Sequence, residues 1–142
     1  MDLEKLQEMA DKDLVINETE LDLESLKTPQ LHNKYMKHYT KFKLMLTKAE
    51  TDYRQLKRYK WEYYTGKSDA QVYAEKPFDL KILRTDVDKY IESDEELIRS
   101  KQKCEYLITC VDYLEKTIRQ ISNRTFTIKN AIDWRRFTSG AV

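Results

Sequence analysis

The scarcity of helix-breaking residues constrains this chain more than any other feature. Its 142 residues include only two glycines and two prolines, and neither residue type occurs between Pro29 and Gly66. β-Sandwiches and barrels need such residues at their many turns, so the sequence predicts an all-α fold. At roughly 100 to 200 residues per domain, it also predicts a single domain over 1–142.

Two heptad patterns predict how the helices pack, because apolar residues recur at alternating spacings of three and four. The first pattern comprises Tyr35, Tyr39, Phe42, Leu46, Ala49, Tyr53, Leu56, Lys60 and Tyr63. The second comprises Leu97, Ser100, Cys104, Leu107, Val111, Leu114, Ile118 and Ile121. One pattern is rich in tyrosine and the other in aliphatic residues, so we expect a long antiparallel helical hairpin with shorter helices along it.

Local signals place the ends of the first helices. A weak pattern predicts a helix over 2–12, and Asn17 with Glu20 resembles a capping box that starts a second segment ending near Lys27. Thr28-Pro29 is typical of an N-cap followed by proline at the first helical position. The long helix is therefore expected to begin there and to stop at Gly66.

The second half of the chain is predicted to contain three further helices. Residues 67–78 are expected to form a loop, and the spacing from Leu80 to Tyr90 predicts a short helix. Ser93 with Glu96 predicts a capping box for the second long helix. A last, separate helix is expected after Ser122-Asn123.

Catalytic, metal and cofactor sites are not predicted. Gly66-Lys67-Ser68 matches the end of a phosphate-binding loop, but position 61, where that motif needs glycine, is Trp61. The two histidines lack the ligand partners of a metal site, and neither cysteine is placed as a nucleophile. Without an export signal, Cys104 and Cys110 are expected to be reduced thiols, the first a buried residue and the second without an assigned role.

The charge of the chain is segregated although its net charge is only +1. Residues 1–30 hold nine acidic and three basic side chains, whereas residues 31–67 hold three acidic and ten basic ones. A concentrated basic block attracts polyanions locally. The apolar runs are too short for a membrane span, so no membrane partner is expected.

Residues 57–67 combine the two features of non-specific single-strand binding. Cations contact phosphates, and flat rings stack on bases of any sequence. The candidate DNA-binding residues are Lys57, Arg58, Tyr59, Lys60, Trp61, Tyr64 and Lys67, with a possible extension along Lys34, Lys41 and Lys48, which recur every seven residues.

The same stretch has a purely structural interpretation. Its rings could be packing residues and its cations an ordinary solvated helix face. Lys60 argues against this interpretation, because a cation at a heptad core position must extend to solvent or face a polyanion.

The sequence also resembles the UvsY recombination mediators of tailed bacteriophages. The resemblance rests on Leu3-Glu4 followed by Leu6-Gln7-Glu8, on Tyr63-Tyr64-Thr65-Gly66-Lys67, and on the stretch from Ile128-Lys129 to Arg136-Phe137. These landmarks occur in order over nearly the whole length, although each is weakly specific by itself. Pro29 departs from the family pattern.

The residues themselves predict a protein without enzymatic activity, and the resemblance implies one that binds single-stranded DNA in the cytoplasm of the infected bacterial host. It implies that the protein helps a RecA-like recombinase displace the single-strand-binding protein, and that it forms a ring of six or seven copies. It assigns DNA binding to Arg58 and Lys60. It assigns assembly to the segment from about Thr125 to Phe137, whose candidate oligomerisation residues are Ile128, Ala131, Ile132, Trp134 and Phe137; Arg135 and Arg136 receive no role.

Two other function classes remain open from the sequence. The first is a helical structural or assembly adaptor that binds only proteins through its heptad faces. The second is a nucleotide-hydrolysing accessory protein, which the missing loop glycine disfavours. Retention of an oligonucleotide at low salt separates a mediator from an adaptor.

Overall fold

The computed structural model describes residues 1–140, and all regular secondary structure within them is helical. The helices in chain order are α1 (Leu3–Asp13), α2 (Leu21–Tyr64), α3 (Ala70–Glu75), α4 (Val87–Glu92) and α5 (Glu95–Thr138), with a 3₁₀ turn at Arg84–Asp86 before α4. No β-strand occurs within residues 1–140. The predicted all-α fold is confirmed. None of these described helices carries an apolar stretch long enough to cross a membrane.

The chain divides into two compact units, to which both long helices contribute. Unit 1 contains residues 1–43 and those from Thr109 onward, and unit 2 contains Leu44–Ile108. In unit 1, Glu24 near the start of α2 pairs with Arg124 near the end of α5. In unit 2, Lys60 near the end of α2 pairs with Glu96 at the start of α5. In unit 1, Tyr35 also interacts with Tyr113, and in unit 2, Glu50 interacts with Cys104. Within each unit, later residues of α2 therefore lie near earlier residues of α5, so the two helices are antiparallel there, as expected. A single domain over 1–142 stays a prediction.

Both heptad patterns form the buried faces that the spacing predicts. Tyr35, Phe42, Leu46 and Ala49 are buried on α2, and Leu97, Cys104, Leu107, Val111, Leu114 and Ile121 are buried on α5. The remaining residues of the two patterns are half-buried, apart from Lys60, which is buried. Cys110 lies outside the pattern yet is fully buried, and both cysteines are free thiols.

Helix α2 begins eight residues earlier than predicted, and Pro29 lies inside it. The predicted second segment and the long helix are one continuous helix of 44 residues. Asn17 instead caps a turn: its side-chain oxygen accepts a hydrogen bond from the Thr19 amide at 3.1 Å. The helical hydrogen bonding of α2 starts just after this turn, where the Glu24 amide donates to the Glu20 carbonyl at 2.9 Å.

A tertiary contact accompanies the proline within α2. Proline lacks the amide that would donate to the carbonyl four residues earlier, and its ring crowds that turn. The buried guanidinium of Arg124 on α5 donates to the Glu24 carbonyl and to the Glu24 carboxylate. It also donates to the Thr28 hydroxyl at 3.1 Å. Arg124 thus ties the turn before Pro29 to α5, although the carbonyl that loses its helical donor to the proline is that of Ser25.

Four other predicted boundaries were also wrong. The expected loop over 67–78 contains the short helix α3, and the helix expected from Leu80 begins at Val87. Asp94 caps α5 in place of Ser93, since its carboxylate accepts from the Leu97 amide at 3.0 Å. No break follows Asn123, because α5 continues to Thr138. Gly66 ends α2 as predicted: it has a φ of 77°, and the Lys67 amide donates back to the Glu62 carbonyl at 2.8 Å.

Candidate nucleic-acid interface

The end of α2 presents five of the predicted DNA-binding residues to solvent. Lys57, Arg58, Tyr59, Trp61 and Lys67 are exposed, and we call them the exposed set. The Arg58 side chain is 84% exposed and forms an ion pair with Glu62 at 3.2 Å, one helical turn later. Tyr59 and Trp61 are 45% and 39% exposed. An exposed i,i+4 ion pair contributes little to stability, so a phosphate can replace it at little cost.

The turn at Gly66 brings Lys67 back to the surface that carries Lys57 and Arg58. The Lys67 ammonium lies 4.4 Å from the centre of the Trp61 ring. Such a cation–π contact holds the flexible lysine over a flat, partly exposed ring. A positive charge and a stacking surface are therefore adjacent at the end of α2.

Lys60 occupies a different environment from the exposed set. Its side chain is only 10% exposed, and its ammonium lies 3.2 Å from the Asp94 carboxylate and 3.3 Å from that of Glu96. The expectation that Lys60 extends to solvent or faces a polyanion was wrong. The charge at this heptad core position is neutralised by two carboxylates of its own chain.

Tyr64 also faces inward, one turn after Lys60. Its hydroxyl donates to Asp94 at 2.6 Å, and its ring lies 5.2 Å from the Phe78 ring and 5.6 Å from the Tyr90 ring. Tyr63 belongs to the same group, stacked on Tyr73 at 5.5 Å. Tyr64 was predicted to be a possible stacking platform for bases, but its ring is half-buried within this aromatic cluster of Tyr63, Tyr64, Tyr73, Phe78 and Tyr90.

The ionisation of Lys60, Tyr64, Asp94 and Glu96, which we call the Asp94 cluster, is fixed by mutual hydrogen bonding. Burial alone would raise the pKa of Asp94, but hydrogen bonds from Tyr64, the Leu97 amide and Lys60 outweigh burial and lower it. Burial likewise opposes the charge of Lys60, yet the bonds to Asp94 and Glu96 raise its pKa. Burial and the bond to Asp94 raise the pKa of Tyr64. At neutral pH, Lys60, Asp94 and Glu96 are therefore charged and paired, whereas Tyr64 is neutral and donates its hydroxyl proton to Asp94.

The lysine stripe at Lys34, Lys41 and Lys48 has mixed surroundings. Lys34, in unit 1, pairs with Asp13 at 2.7 Å, and the Tyr35 hydroxyl donates to the same carboxylate at 3.0 Å. Lys41 and Lys48 are exposed, the first in unit 1 and the second in unit 2. Continued at intervals of seven, the stripe reaches Gln55 and Glu62, which carry no positive charge.

The candidate oligomerisation residues divide into inner and outer ones. Ile128 is buried and Ala131 and Ile132 are half-buried, so they pack within their own protomer. Trp134 and Phe137 are 65% and 74% exposed, and their rings stack at 5.8 Å. Phe126, which the sequence reasoning did not select, is also exposed on α5. Three large exposed rings near one helix end form a candidate contact surface.

The residue most clearly missed by sequence reasoning is Asp94. It accepts hydrogen bonds from Lys60, Tyr64 and the Leu97 amide, and it is 8% exposed. The signal for its capping role was present, since aspartate three residues before a helical amide is a good N-cap. Its bonds to Lys60 and Tyr64 had no signal in the sequence, because they join residues at least 30 positions apart.

An all-helical chain that places cations beside exposed aromatic rings fits the class of proteins that bind single-stranded nucleic acid without reading its sequence. The sequence profile of a family described as "Recombination, repair and ssDNA binding protein UvsY" matches residues 9–141. The chain therefore belongs to the UvsY family of recombination, repair and single-stranded-DNA-binding proteins.

Known relatives cover almost the whole chain. The recombination protein UvsY of Enterobacteria phage T4 is 24% identical over 140 residues, which are 99% of both chains. One crystal form of the bacteriophage T4 recombination mediator protein UvsY superposes with a TM-score of 0.86 at 22% identity, covering 98% of each chain. A second crystal form of the same protein superposes with a TM-score of 0.83 at 22% identity, covering 97% of this chain and 99% of the T4 chain. At this identity the likeness to the solved structures shows a shared fold.

Proposed function

We propose that the chain binds single-stranded DNA through the exposed set at the end of α2. The observation that supports this is the adjacency of three exposed cations and two exposed rings within residues 57–67. The cations supply sequence-independent attraction to phosphates, and the rings supply stacking surfaces that accept any base. Lys48, in the same unit, is an additional exposed cation that the strand can meet.

As a recombination mediator, the protein would help load a RecA-like recombinase in place of single-strand-binding protein. This role would serve phage recombination, repair and recombination-dependent replication in the host cytoplasm. It requires a binding surface rather than a catalytic group. The family membership supports the recombination role, and the exposed set supplies the DNA contact.

Assembly into a closed homo-oligomer of six or seven copies is the second part of the proposal. The exposed rings of Phe126, Trp134 and Phe137 are the surface that would meet a neighbouring copy. A ring uses two different patches on each subunit in a head-to-tail contact. It would also repeat the exposed set around the assembly, so that one strand engages several copies and gains affinity by multivalency.

A salt series tests the DNA-binding proposal. Affinity for a fluorescent oligothymidylate is measured by anisotropy from low to high salt, and each phosphate neutralised on a single strand adds about −0.7 to the slope of log affinity against log salt. We expect Arg58→Ala to weaken binding and to reduce the magnitude of that slope by about 0.7 for each phosphate that Arg58 neutralises in the parent complex.

Arg119→Ala is the matched control. Arg119 is also an exposed arginine in an i,i+4 pair, with Glu115 at 3.9 Å on α5. The proposal requires Arg119→Ala to retain the affinity and slope of the parent protein. A parent protein that fails to retain the oligonucleotide at low salt would instead be a protein-binding adaptor.

A further inference from the structure

We propose that the Asp94 cluster positions the exposed set, and that Lys60 supports DNA binding as a positioning residue without contacting DNA. The inference rests on the proposed function, since it concerns the same surface at the end of α2. It separates two neighbouring cations, Arg58 and Lys60, that the family resemblance treats alike.

The geometry of α2 links its buried residues to its exposed ones. Lys60 and Tyr64 are one turn apart on the inward face of α2, and both bond the carboxylate of Asp94, at 3.2 Å and 2.6 Å. Arg58 and Trp61 are exposed on the same turns of the helix. Successive residues differ by about 100° around a helix, so fixing the inward pair fixes the direction of the exposed pair.

The hydrogen bonds of Asp94 join the end of α2 to the start of α5. One carboxylate oxygen accepts from the Leu97 amide at 3.0 Å, which makes Asp94 the N-cap of α5. The other accepts from both Lys60 and Tyr64. Glu96 adds a contact to Lys60 at 3.3 Å and one to Lys76 at 3.3 Å. The end of α2 is thereby fixed to the start of α5, where the last helical turn would otherwise fray.

Apolar packing around the same residues supports a positioning role. Tyr64 contacts the buried group of Val87, Ile91 and Leu97, which α4 and α5 contribute. The Tyr73 hydroxyl donates to the Tyr63 carbonyl at 2.8 Å, in the final turn of α2. A surface built for stacking gains affinity when its rings are held in place before the ligand arrives.

Charge balance argues against direct contact between Lys60 and a phosphate. The ammonium is already paired with two carboxylates in a buried site. Moving it to a phosphate would leave Asp94 buried with its charge uncompensated, which is strongly unfavourable. Arg58, by comparison, gives up only an exposed ion pair when it meets a phosphate.

The experiment uses the substitution Asp94→Asn in the full-length protein. Asparagine keeps the shape of the side chain and is an equally good N-cap, so it removes the charge and retains the acceptor for the Leu97 amide. The matched control is Asp88→Asn, which removes an exposed carboxylate from α4 and changes the net charge by the same amount. Affinity and salt slope are measured with the fluorescent oligothymidylate, and circular dichroism monitors folding.

The two substitutions should have opposite effects. We expect Asp94→Asn to weaken DNA binding about tenfold with an unchanged salt slope, although the protein becomes more positive. Asp88→Asn makes the protein more positive by the same amount, so its DNA affinity should equal or exceed that of the parent.

Tyr64→Phe removes only the hydroxyl that donates to Asp94. It should weaken DNA binding about threefold, again with an unchanged salt slope, which is a loss of the size expected for one hydrogen bond. Lys60→Arg should retain more affinity than Lys60→Met because it keeps the charge.

Two results would overturn the inference. One is an affinity of Asp94→Asn that rises like that of Asp88→Asn, because the removed charge would then act only through long-range attraction. The other is a reduced salt slope for Lys60→Met, because Lys60 would then meet a phosphate itself. Either result leaves the proposed function standing if Arg58→Ala still lowers the slope, whereas loss of binding by the parent protein refutes the proposed function.

Discussion

At the residue scale, cations that are close together in the sequence differ in exposure, because their side chains point in different directions from α2. Lys57 and Arg58 are exposed, whereas Lys60 lies at a core position of the heptad pattern and is buried. A buried lysine is tolerated only when carboxylates neutralise it, and Asp94 and Glu96 provide that neutralisation. The buried charges of Lys60 and its partners therefore depend on one another, and removing one partner should destabilise unit 2.

The pH dependence of stability tests this pairing. The pKa of Asp94 lies below its ordinary value of 3.8, so its stabilising contribution is present above that value and is lost as the pH falls through the lowered pKa. The pKa of Lys60 is raised above 10.5, so the contribution of its charge is present below that value and is lost only as the pH rises through the raised pKa. Between these limits the pairing should be constant.

We expect Asp94→Asn to lower the free energy of unfolding by about 2 kcal/mol at pH 7, in the range for a buried, charge-assisted hydrogen bond. The difference from the parent should shrink toward zero as the pH falls well below 3.8, where Asp94 itself becomes neutral. Urea unfolding at a series of pH values measures it. A difference that stays constant from neutral to strongly acidic pH would contradict the pairing.

At the element scale, α2 is continuous through Pro29 although the proline supplies no amide to the carbonyl of Ser25, four residues earlier. Pro29 is exposed, and the turn before it receives hydrogen bonds from the buried Arg124. Arg124 pairs with Glu24, whose pKa is lowered, first by the hydrogen bond from Lys27 and further by the nearby Arg124, against an opposing effect of burial. Proline remains costly within a helix, so α2 carries strain that a substitution should relieve.

Pro29→Ala should stabilise the protein. Alanine restores the missing amide donor and is about 3 kcal/mol better than proline inside a helix, while the more flexible unfolded chain returns up to about 1 kcal/mol. We expect a net gain of about 2 kcal/mol in the free energy of unfolding, measured with urea. Gln30→Ala, at the next exposed position, should stay within about 0.5 kcal/mol of the parent. A loss of stability in Pro29→Ala would show that the turn requires proline.

At the scale of the whole molecule, exposed apolar rings on α5 are consistent with the proposed self-assembly. Deletion from Thr125 onward would test it poorly, because Ile128 is buried and Arg135 donates to the Glu18 carbonyl. Such a truncation would damage the fold of unit 1 as well as remove the surface. Substitution of the exposed rings leaves those inner contacts in place.

The double substitution Trp134→Ala with Phe137→Ala should weaken assembly. Large aromatic residues at the centre of an interface each contribute about 2 kcal/mol or more, so loss of one ring should raise the concentration needed for half-assembly about 30-fold, and loss of both should raise it further. Analytical ultracentrifugation over a concentration series measures the change. Asn130→Ala, exposed on the same helix, is the control, and equal sedimentation of the double variant and the parent would exclude these rings from the interface.

The sequence by itself determined the all-α fold, the two buried heptad faces and the end of α2 at Gly66. These features depend on interactions between residues three to five positions apart, which a sequence pattern records directly. The tertiary structure alone decided the environment of Lys60, whose Glu96 partner is 36 positions away, and that of Arg124, which donates to Glu24 from 100 positions away. No local pattern records such pairs, because they exist only once the helices have packed.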